Sequence, residues 1–392
     1  MDFQDRRYVV GIDLGTTNSA VSYVDLTQLE EKSRTRAIKI FKVPQLTSAG
    51  EFSAVSVLPS FLYIPGEYDI SKESIKHPWK REKDMFAGVF AREHGSLIPS
   101  RLVSSAKSWL CHARADRQAK ILPWGSENVD KLSPVAATAE YLRHIKKAWN
   151  YSVKDEDDFL ENQYVVITVP ASFDEAAREF TLEAAREAGF GQHITLLEEP
   201  LAAFYSWLAA HEHDWQSYVK PDDLILVCDV GGGTTDFTLI TLKEAQGSPR
   251  FERLAVGDHL ILGGDNIDLA LARFVESKFV KKRQLTADKW KTLCHKCRAA
   301  KEKILDSQTE AKASQTEGVQ TDGVLLNNQK SSVRITLKGE GRALIEGTLS
   351  ADLTKTELEN ILCEGFFPDI EPSNDFVRRT GKAIAEFGLP YE

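Results

Sequence analysis

The sequence contains no long hydrophobic run and few cysteines. No stretch approaches the ~18 consecutive apolar residues of a membrane-spanning helix, and the apolar run at residues 8–10 is far too short for a signal peptide. Five cysteines among 392 residues do not suggest the disulfide framework of a secreted domain. We therefore expect a cytoplasmic protein with no membrane partner.

The sequence also lacks an excess of basic residues. Its 49 lysines and arginines are outnumbered by 58 aspartates and glutamates, which gives a formal net charge of −9. An acidic surface repels the phosphate backbone of nucleic acids, so we expect no nucleic-acid partner. Hydrophobic residues make up 42% and charged residues 27%, and a chain of 392 residues can bury a large core. This composition indicates a globular protein and argues against a disordered one.

One pattern occurs twice in the sequence. Residues 9–17 read Val-Val-Gly-Ile-Asp-Leu-Gly-Thr-Thr, and residues 225–235 read Ile-Leu-Val-Cys-Asp-Val-Gly-Gly-Gly-Thr-Thr. In both, an apolar strand runs into an aspartate and a glycine-rich turn, and an alternating strand follows, which predicts two β-hairpins. A single copy is also typical of an ordinary hairpin turn. Two well-separated copies favour a shared function over that alternative.

The residue types of these two turns suit a polyphosphate. Glycine lets backbone N–H groups approach phosphate oxygens, and threonine hydroxyls donate further hydrogen bonds. Asp13 and Asp229, one at each strand end, can hold Mg²⁺ directly or through water, since Mg²⁺ combines one or two carboxylates with phosphates and waters. Neither turn is a Walker A loop or a Rossmann fingerprint, because both of those need a helix directly after the glycines. The candidate phosphate-binding residues are Gly15, Thr16, Thr17, Asn18, Gly231, Gly232, Gly233, Thr234 and Thr235.

Further elements are expected around the repeat. A strand over Tyr164–Val169 is ended by Pro170, and Ser172 with Glu175 forms a capping-box signature for the following helix. Residues 100–115 contain no glycine or proline and predict a helix that carries Lys107. Other expectations are helices at 290–304, 353–363 and 376–387, strands at 333–337 and 343–349, and a hairpin tip or mobile loop at 306–332.

The cysteines are interpreted as structural residues. Cys294 and Cys297 have the spacing of half a zinc site, but a structural zinc ion needs four ligands and no matching second pair follows. Packing on a helix is therefore the preferred interpretation of this pair. Cys228, in the strand before Asp229, is expected in the core.

Four stretches together resemble the DnaK-type, seventy-kilodalton heat-shock chaperones, in their N-terminal ATPase domain. Residues 11–19, Gly-Ile-Asp-Leu-Gly-Thr-Thr-Asn-Ser, resemble the first phosphate motif of that family, and residues 229–236, Asp-Val-Gly-Gly-Gly-Thr-Thr-Asp, resemble the second. The stretches at 167–173 and 198–203 resemble the segment that joins the two motifs. The likeness runs, with gaps, from about residue 8 to about residue 305.

The resemblance implies an α/β protein with the actin-like (ribonuclease H-like) fold, in which two lobes enclose a central nucleotide cleft. Lobe I would span residues 1–222 and lobe II residues 223–392. The implied ligands are ATP or ADP, Mg²⁺ and K⁺. The implied activity is slow ATP hydrolysis, with the nucleotide state controlling a peptide-binding domain. Client polypeptides bound through a C-terminal domain outside this chain, a co-chaperone and a nucleotide-exchange factor are the implied partners.

The resemblance also assigns roles to individual residues. Asp13 and Asp229 would surround a hydrated Mg²⁺, Asp236 would help to hold a monovalent cation, and Lys107 and Glu199 would act at the γ-phosphate and its attacking water. Pro170 and Arg178 would relay the nucleotide state to the lobe surface. A solvated helix lysine at position 107 and a plain strand terminator at position 170 are the alternative interpretations. The remaining implied nucleotide contacts are Gly263, Gly264 and Lys301.

The sequence departs from the family pattern in two places. After Gly264 it contains no Gly-Gly pair, although the family has a later glycine-pair loop against the adenosine. Arg298 stands where the family's adenosine-side helix has an acidic residue. We therefore expect weakened base and ribose contacts, and either a fragment of a longer protein, which we favour, or an incomplete second lobe.

Two other functions remain open from the sequence. A non-catalytic, actin-like binding or scaffold protein would share the fold without hydrolysing ATP. A small-molecule kinase of the same superfamily would need a catalytic base aimed at a substrate hydroxyl, and residues 171–178 offer no such base.

Overall fold

The computed structural model describes most of the chain as two compact units. Among the described residues, unit 1 comprises those of Met1–Gly95 and Ser100–Gly263, and unit 2 comprises those of Ser96–Pro99 and Gly264–Phe387. No helix within the described ranges is long and apolar enough to cross a membrane. The described residues are 6–28, 38–80, 84–112, 116–245, 248–257, 260, 262–279, 285–316, 332–338, 348–369 and 371.

Unit 1 contains four groups of strands and the helices that pack on them. Its strands are β1 (Tyr8–Leu14), β2 (Asn18–Asp25), β3 (Ile38–Phe41), β4 (Val43–Ser48), β5 (Glu51–Val55), β6 (Val57–Pro59), β7 (Leu62–Tyr63), β8 (Phe86–Ala87), β9 (Leu102–Val103), β10 (Tyr164–Val169), β11 (Ile194–Glu198), β12 (Leu224–Val230), β13 (Thr235–Ala245) and β14 (Ser248–Val256). Its helices are α1 (Val89–Gly95), α2 (Ala106–Leu110), α3 (Pro134–Ser152), α4 (Glu175–Glu187) and α5 (Glu199–Ala210).

The largest sheet has the strand order β11-β10-β1-β2-β3, with β6 also paired to β2. β1 and β2 form an antiparallel hairpin, and β10 and β11 join it in parallel. The predicted first hairpin and the predicted strand before Pro170 are thus confirmed. Because the parallel strands end at one edge, the carboxyl ends of β1, β10 and β11 bring their last residues close together.

Helices α3 and α4 contribute to the main core of unit 1 together with this sheet. Ser133 caps α3 by accepting from the backbone N–H of Ala136, and Pro134 occupies the first turn. Asp174, not the predicted Ser172, caps α4, and it accepts from Ala177. The predicted capping box was wrong because the chain enters the helix two residues later than Ser172. The strand residues Val10, Ile12 and Ile167 are fully buried in this core.

The segment around Lys107 is not the single helix predicted over residues 100–115. A short 3-10 turn and β9 occupy its first part, and only α2 is helical among residues 102–112. Ser105 has φ 53°, in the left-handed region that L-residues rarely adopt, and this conformation separates β9 from α2. Residues 113–115 lie outside the described ranges.

A second sheet in unit 1 consists of β12, β13 and β14 in an antiparallel meander. One face packs with Phe204 of α5 into a small core that includes Ile240, Leu242 and Phe251. Cys228 lies on the opposite, exposed face, so its predicted place in the core was wrong. Strand alternation correctly separates the two faces, but the apolar sequence does not show which face is covered.

Unit 2 is built from helices and one β-hairpin. Its elements are α6 (Gly264–Ser277), α7 (Ala287–Thr316), β15 (Ser332–Leu337), β16 (Leu349–Thr354), α8 (Lys355–Asn360) and a π-helical turn (Ile361–Phe366). The predicted strand at 333–337 and a helix around 353–363 are confirmed, the latter with a capping box between Thr354 and Glu357. Cys297 is fully buried in the core of this unit, as its helical packing predicted.

The polar segment at 306–332 was predicted as a loop, and this is wrong for its first part. α7 continues through Thr316 because the residues from Asp306 onward include no glycine or proline before Gly318. Of the predicted strand at 343–349, Leu349 begins β16. The remaining parts, residues 317–331 and 343–347, and the predicted helix at 376–387 lie outside the described residues.

Candidate functional site

A pocket of about 730 Å³ in unit 1 collects most of the candidate site residues. Both glycine-rich turns open into it, together with Lys107 and Glu199. Part of its wall is apolar and includes Ile38, Ile40 and Tyr205, none of which the sequence analysis identified. The candidate residues that line it are Asp13, Gly15, Thr16, Thr17, Asn18, Lys107, Glu199, Asp229, Gly231, Gly232 and Thr234.

The two turns are equivalent in structure as well as in sequence. In the first hairpin Asp13 lies opposite Ala20, and in the second Asp229 lies opposite Asp236. Each aspartate therefore stands near the end of the first strand of its hairpin. The duplicated pattern predicted this geometry correctly.

The two turns also lie in close contact. A Cβ atom placed on Gly232 would lie 1.8 Å from Thr17 Oγ1, and one on Gly233 would lie 2.6 Å from Ser108 Oγ. Real carbon atoms do not approach so closely, so a side chain at either position would force Thr17, Ser108 or one of the turns to shift. Glycine at both positions lets the second turn lie this close to the first without such a shift.

Three further candidate residues, Gly263, Thr235 and Asp236, lie next to the second turn but outside the pocket wall. A Cβ on Gly263 would lie 2.6 Å from the carbonyl oxygen of Gly231. Thr235 is buried, and its hydroxyl donates to the carbonyl oxygen of Leu262 at 2.6 Å. Asp236 is also buried. None of these three residues is among the described residues that line the pocket.

Lys107 and Glu199 form an ion pair inside the pocket. The Nζ of Lys107 donates to the carboxylate of Glu199, and their side chains are only 9% and 16% exposed. This burial overturns the alternative of a solvated helix lysine. α2 carries Lys107, and Glu199 is the first residue of α5, where Pro200 suits the first turn.

The carboxylates of the pocket are crowded around this single cation. Burial raises the pKa of Glu199, Lys107 opposes the shift, and Asp229 and Asp13 add to it. Burial likewise raises the pKa of Asp229, with Lys107 again opposing and Asp236 and Asp13 adding to the shift. Asp13, Glu199 and Asp229 line the pocket together with Lys107, so its carboxylates outnumber this lysine, which favours a further cation.

One residue of the pocket wall, Thr168, and one residue beside the second turn, Ser108, were not identified from the sequence. Thr168, on β10 beside β1, donates from its hydroxyl to Asp13 Oδ1 at 2.8 Å. Ser108 is 3% exposed, and its Oγ has no hydrogen-bond partner within the described structure. Thr168 could have been noticed as a polar residue within an otherwise apolar strand. For Ser108 the sequence offers only its position next to Lys107.

The donor set around the first and second turns fits a hydrated magnesium ion. No group of three or more His, Cys, Asp or Glu side chains among the described residues could hold a metal ion by itself. Mg²⁺ usually needs only one or two carboxylates, because phosphate oxygens and retained waters supply the remaining ligands. Asp13 and Asp229 meet that requirement.

The proposed adenosine-side residues in unit 2 form their own charge cluster. Lys301 Nζ lies 2.7 Å from Asp268 Oδ1 and donates to the carbonyl oxygen of Gly264 at 3.1 Å. Arg298 pairs with Asp268 at 2.7 Å and also with Asp265. Lys301 and Gly264 are thus brought together, and the unexpected Arg298 is neutralised by aspartates of α6.

The proposed relay residues lie at the start of the segment that joins the two turns. Pro170 directly follows β10. Arg178, on α4, donates to the carbonyl oxygen of Phe173 at 3.2 Å and to Glu198 Oε1 at 2.8 Å. Arg178 therefore contacts the residue next to Glu199.

Comparison with known proteins agrees with this geometry. The chain matches the family described as Hsp70 protein over residues 94–340. It is 27% identical over 399 residues to the chaperone protein HscA homolog of Pseudoalteromonas atlantica, over 98% of this chain and 53% of that relative. It is 29% identical over 286 residues to the chaperone protein HscA of Salmonella paratyphi C, over 70% of this chain and 38% of that relative. The chain thus spans about half, or less, of the length of these curated relatives.

Proposed function

Because the chain belongs to the Hsp70 family, whose members are ATPases, we propose that it binds ATP and ADP and hydrolyses ATP slowly, as the nucleotide-binding part of a molecular chaperone. Family membership implies the actin-like ATPase fold, and the described structure is α/β with several sheets. The observation that carries the proposal is the meeting of two equivalent glycine-rich turns with Lys107 and Glu199 in one pocket. In this proposal the fold has two lobes, residues 1–222 and 223–392, about a central nucleotide cleft.

The turns would hold the phosphates. Backbone N–H groups of the glycines face the ligand without a Cβ in the way, and the hydroxyls of Thr16, Thr17 and Thr234 donate to phosphate oxygens. The contact between Gly232 and Thr17 supports this role, because it keeps the two turns close enough to act on one polyphosphate. The other predicted nucleotide contacts remain predictions, and they are Gly15, Asn18, Gly231, Gly233, Thr235, Gly263, Gly264 and Lys301.

Asp13 and Asp229 would hold Mg²⁺, mostly through water, and Asp236 would help to hold K⁺. When bound, Mg²⁺ supplies positive charge that offsets the negative charge of the phosphates and of the crowded carboxylates. Thr168 fixes the orientation of Asp13 through its hydroxyl. The presence of Asp13, Glu199 and Asp229 in one pocket supports a cation here, because a positive charge would offset their repulsion.

Lys107 and Glu199 would carry out the hydrolytic step. The ammonium group of Lys107 stabilises negative charge that develops on the transferred phosphoryl group. The carboxylate of Glu199 accepts a hydrogen bond from the attacking water and orients it. Their ion pair supports this assignment, since it holds both groups at one place before any ligand binds.

The consequences for partners follow from the same family likeness. We propose that the nucleotide state controls a peptide-binding domain outside this chain, through which client polypeptides bind. A co-chaperone and a nucleotide-exchange factor would act on the same cycle. Pro170 and Arg178 would relay the state of the pocket, which the contact of Arg178 with Glu198 supports.

Calorimetric titration tests this function. ATP and ADP with Mg²⁺ are titrated into the wild-type protein and into Asp13→Ala and Asp229→Ala, and phosphate release is followed on the same samples. We expect binding in the wild type that both substitutions weaken, with slow phosphate release. Binding without phosphate release would instead support a non-catalytic protein, and no binding in the wild type would contradict the proposal.

A further inference from the structure

Glu198, the residue before Glu199, is held by two arginines from different elements. Arg178 of α4 donates to Glu198 Oε1 at 2.8 Å, and Arg253 of β14 donates to the same oxygen. The side chain of Glu198 is 14% exposed, whereas those of Arg178 and Arg253 are 29% and 43% exposed. The second carboxylate oxygen, Oε2, is buried and has no hydrogen-bond partner within the described structure.

This bridge joins the two halves of the pocket. Glu198 ends β11 and is the N-cap residue of α5, so its backbone leads directly into Glu199. Arg253 lies opposite Ile240 on β13, beside the register shift between Leu239 and Ile240. β13 begins at Thr235, immediately after the second phosphate turn. A carboxylate held from both sides therefore connects the junction of β11 and α5, where Glu199 begins the helix, with the sheet that presents Asp229.

The bridge is poorly placed to stabilise the fold as a whole. Ion pairs whose partners are this exposed add little to stability, because solvent screens them and long side chains lose rotamer freedom. Charge-assisted contacts to a shared carboxylate do fix geometry, since both guanidinium groups must point at one oxygen. Such a bridge can therefore fix the position of Glu198 more than it can add to the stability of the protein.

We propose that Glu198 is a positioning residue, which with Arg178 and Arg253 sets the place of Glu199 relative to Lys107 and the second phosphate turn. The inference rests on the proposed ATPase function for its catalytic consequence. A displacement of about 1 Å at a reacting group can lower a rate ~100-fold, so a bridge one residue away is close enough to matter. The expected signature is a lower kcat with little change in nucleotide affinity.

The first test needs no nucleotide. Hydrogen exchange of residues 203–206, whose amides are the first in α5 to bond back to its first turn, is measured for the wild type, Glu198→Gln, Arg253→Ala and the double variant. We expect exchange there to become about tenfold faster in each single variant. In the wild type, local opening of α5 must also break the ion pairs of Glu198, and in the variants this cost is reduced. The double variant should be no faster than Glu198→Gln, since the Arg253 contact is made only to Glu198 and is already affected by that substitution. Arg250→Ala, an exposed arginine of the same strand, is the matched control and should leave α5 unchanged.

The second test uses Mg·ATP on the same proteins. We expect kcat about tenfold lower in Glu198→Gln and Arg253→Ala, with the calorimetric Kd for ATP within about twofold of the wild type. Arg253→Lys, which keeps the charge, should recover part of the rate.

The outcomes separate this inference from the proposed function. A wild type that neither binds nor hydrolyses ATP overturns the function, while the exchange measurement still judges the bridge. Unchanged exchange in α5 overturns the bridge whatever the activity. Faster exchange with an unchanged kcat, or a loss of rate matched by Arg250→Ala, overturns the positioning role.

Discussion

The ammonium group of Lys107 and the carboxylate of Glu199 form an ion pair that is largely hidden from solvent, with side chains 9% and 16% exposed. The two residues are 92 positions apart in the chain. α2 and α5 bring them together in the pocket that also contains Asp13 and Asp229. This pair is the only contact in the pocket that joins a cation to a carboxylate among the described ion pairs, so several expectations depend on it.

Replacement of Lys107 should abolish hydrolysis more than binding. In Lys107→Ala we expect phosphate release to fall at least about 100-fold, because the charge that opposes the developing negative charge is lost. The Kd for ADP should change far less, since ADP lacks the transferred group. Single-turnover phosphate release and calorimetry measure the two quantities. Lys120→Ala, at an exposed lysine, is the control; equal losses in both variants would contradict a specific role.

The stability of the protein should depend on pH through Glu199 and Asp229. Burial and neighbouring carboxylates raise the pKa of both groups above their ordinary values of 4.5 and 3.8. The folded state then binds protons more readily than the unfolded state, so their contribution is present below the ordinary pKa and is lost as the pH rises through the raised pKa. Glu199→Gln and Asp229→Asn should therefore gain stability relative to the wild type as the pH increases above about 4.5.

Urea unfolding at a series of pH values measures this difference. The comparison is made without nucleotide or Mg²⁺, since a bound cation would lower the repulsion. Glu175→Gln serves as the control, because Glu175 is exposed and does not line the pocket. A difference that stays constant with pH would show that the folded-state pKa values of Glu199 and Asp229 are not raised.

The local features of the fold could be predicted from the sequence, and the failures have identifiable causes. An aspartate and glycines between two alternating strands specify a hairpin within a few residues, so both turns were predicted correctly. The left-handed conformation of Ser105 could not be foreseen, because it occurs at a residue type that has no preference for it. Alternation in β12 placed Cys228 and its neighbours on two faces but did not show that the face of Cys228 stays exposed.

The candidate site divides in the same way. Residues within the repeated motif could be selected because each motif is a short continuous stretch and the same residue types occur in both copies. Thr168, Ser108 and Arg253 reach their places through strand pairing and packing between distant segments, which one sequence does not reveal. The pairing of Lys107 with Glu199 was expected only as two separate roles near one phosphate, and the direct contact was found in the structure.

A methyl group on Gly232 should disturb the contact between the two turns. Its Cβ would lie 1.8 Å from Thr17 Oγ1, so the Thr17 side chain or one of the turns must move. We expect Gly232→Ala to weaken ATP binding at least about tenfold and to lower the stability by about 1–3 kcal/mol, the usual cost of overpacking. Calorimetry and urea unfolding measure the two effects.

A second substitution separates the clash from the lost glycine. In Gly232→Ala with Thr17→Ala the nearest clashing atom is gone, although Thr17 Cβ would still lie 3.0 Å away, so stability should recover in part. The affinity should stay low, because the Thr17 hydroxyl is also a proposed phosphate donor. Gly365→Ala, where a Cβ would meet no atom within 4 Å, is the control and should change neither quantity. Normal ATP affinity in Gly232→Ala would argue against the turns acting on one ligand.

Replacement of Ser108 should not lower the stability of the nucleotide-free protein, but it should weaken the binding of ATP. Its buried Oγ has no hydrogen-bond partner within the described structure and lies where a Cβ on Gly233 would be 2.6 Å away. An unpaired buried hydroxyl costs about 1–3 kcal/mol, so Ser108→Ala should leave the nucleotide-free protein at least as stable as the wild type. If ATP phosphates partner this hydroxyl, the same substitution should weaken ATP binding about fivefold to tenfold, the loss of one hydrogen bond. Unfolding without nucleotide and calorimetry with Mg·ATP test the two halves. Reduced stability without nucleotide would show that Oγ already has a partner, and unchanged affinity would exclude a contact with the phosphates.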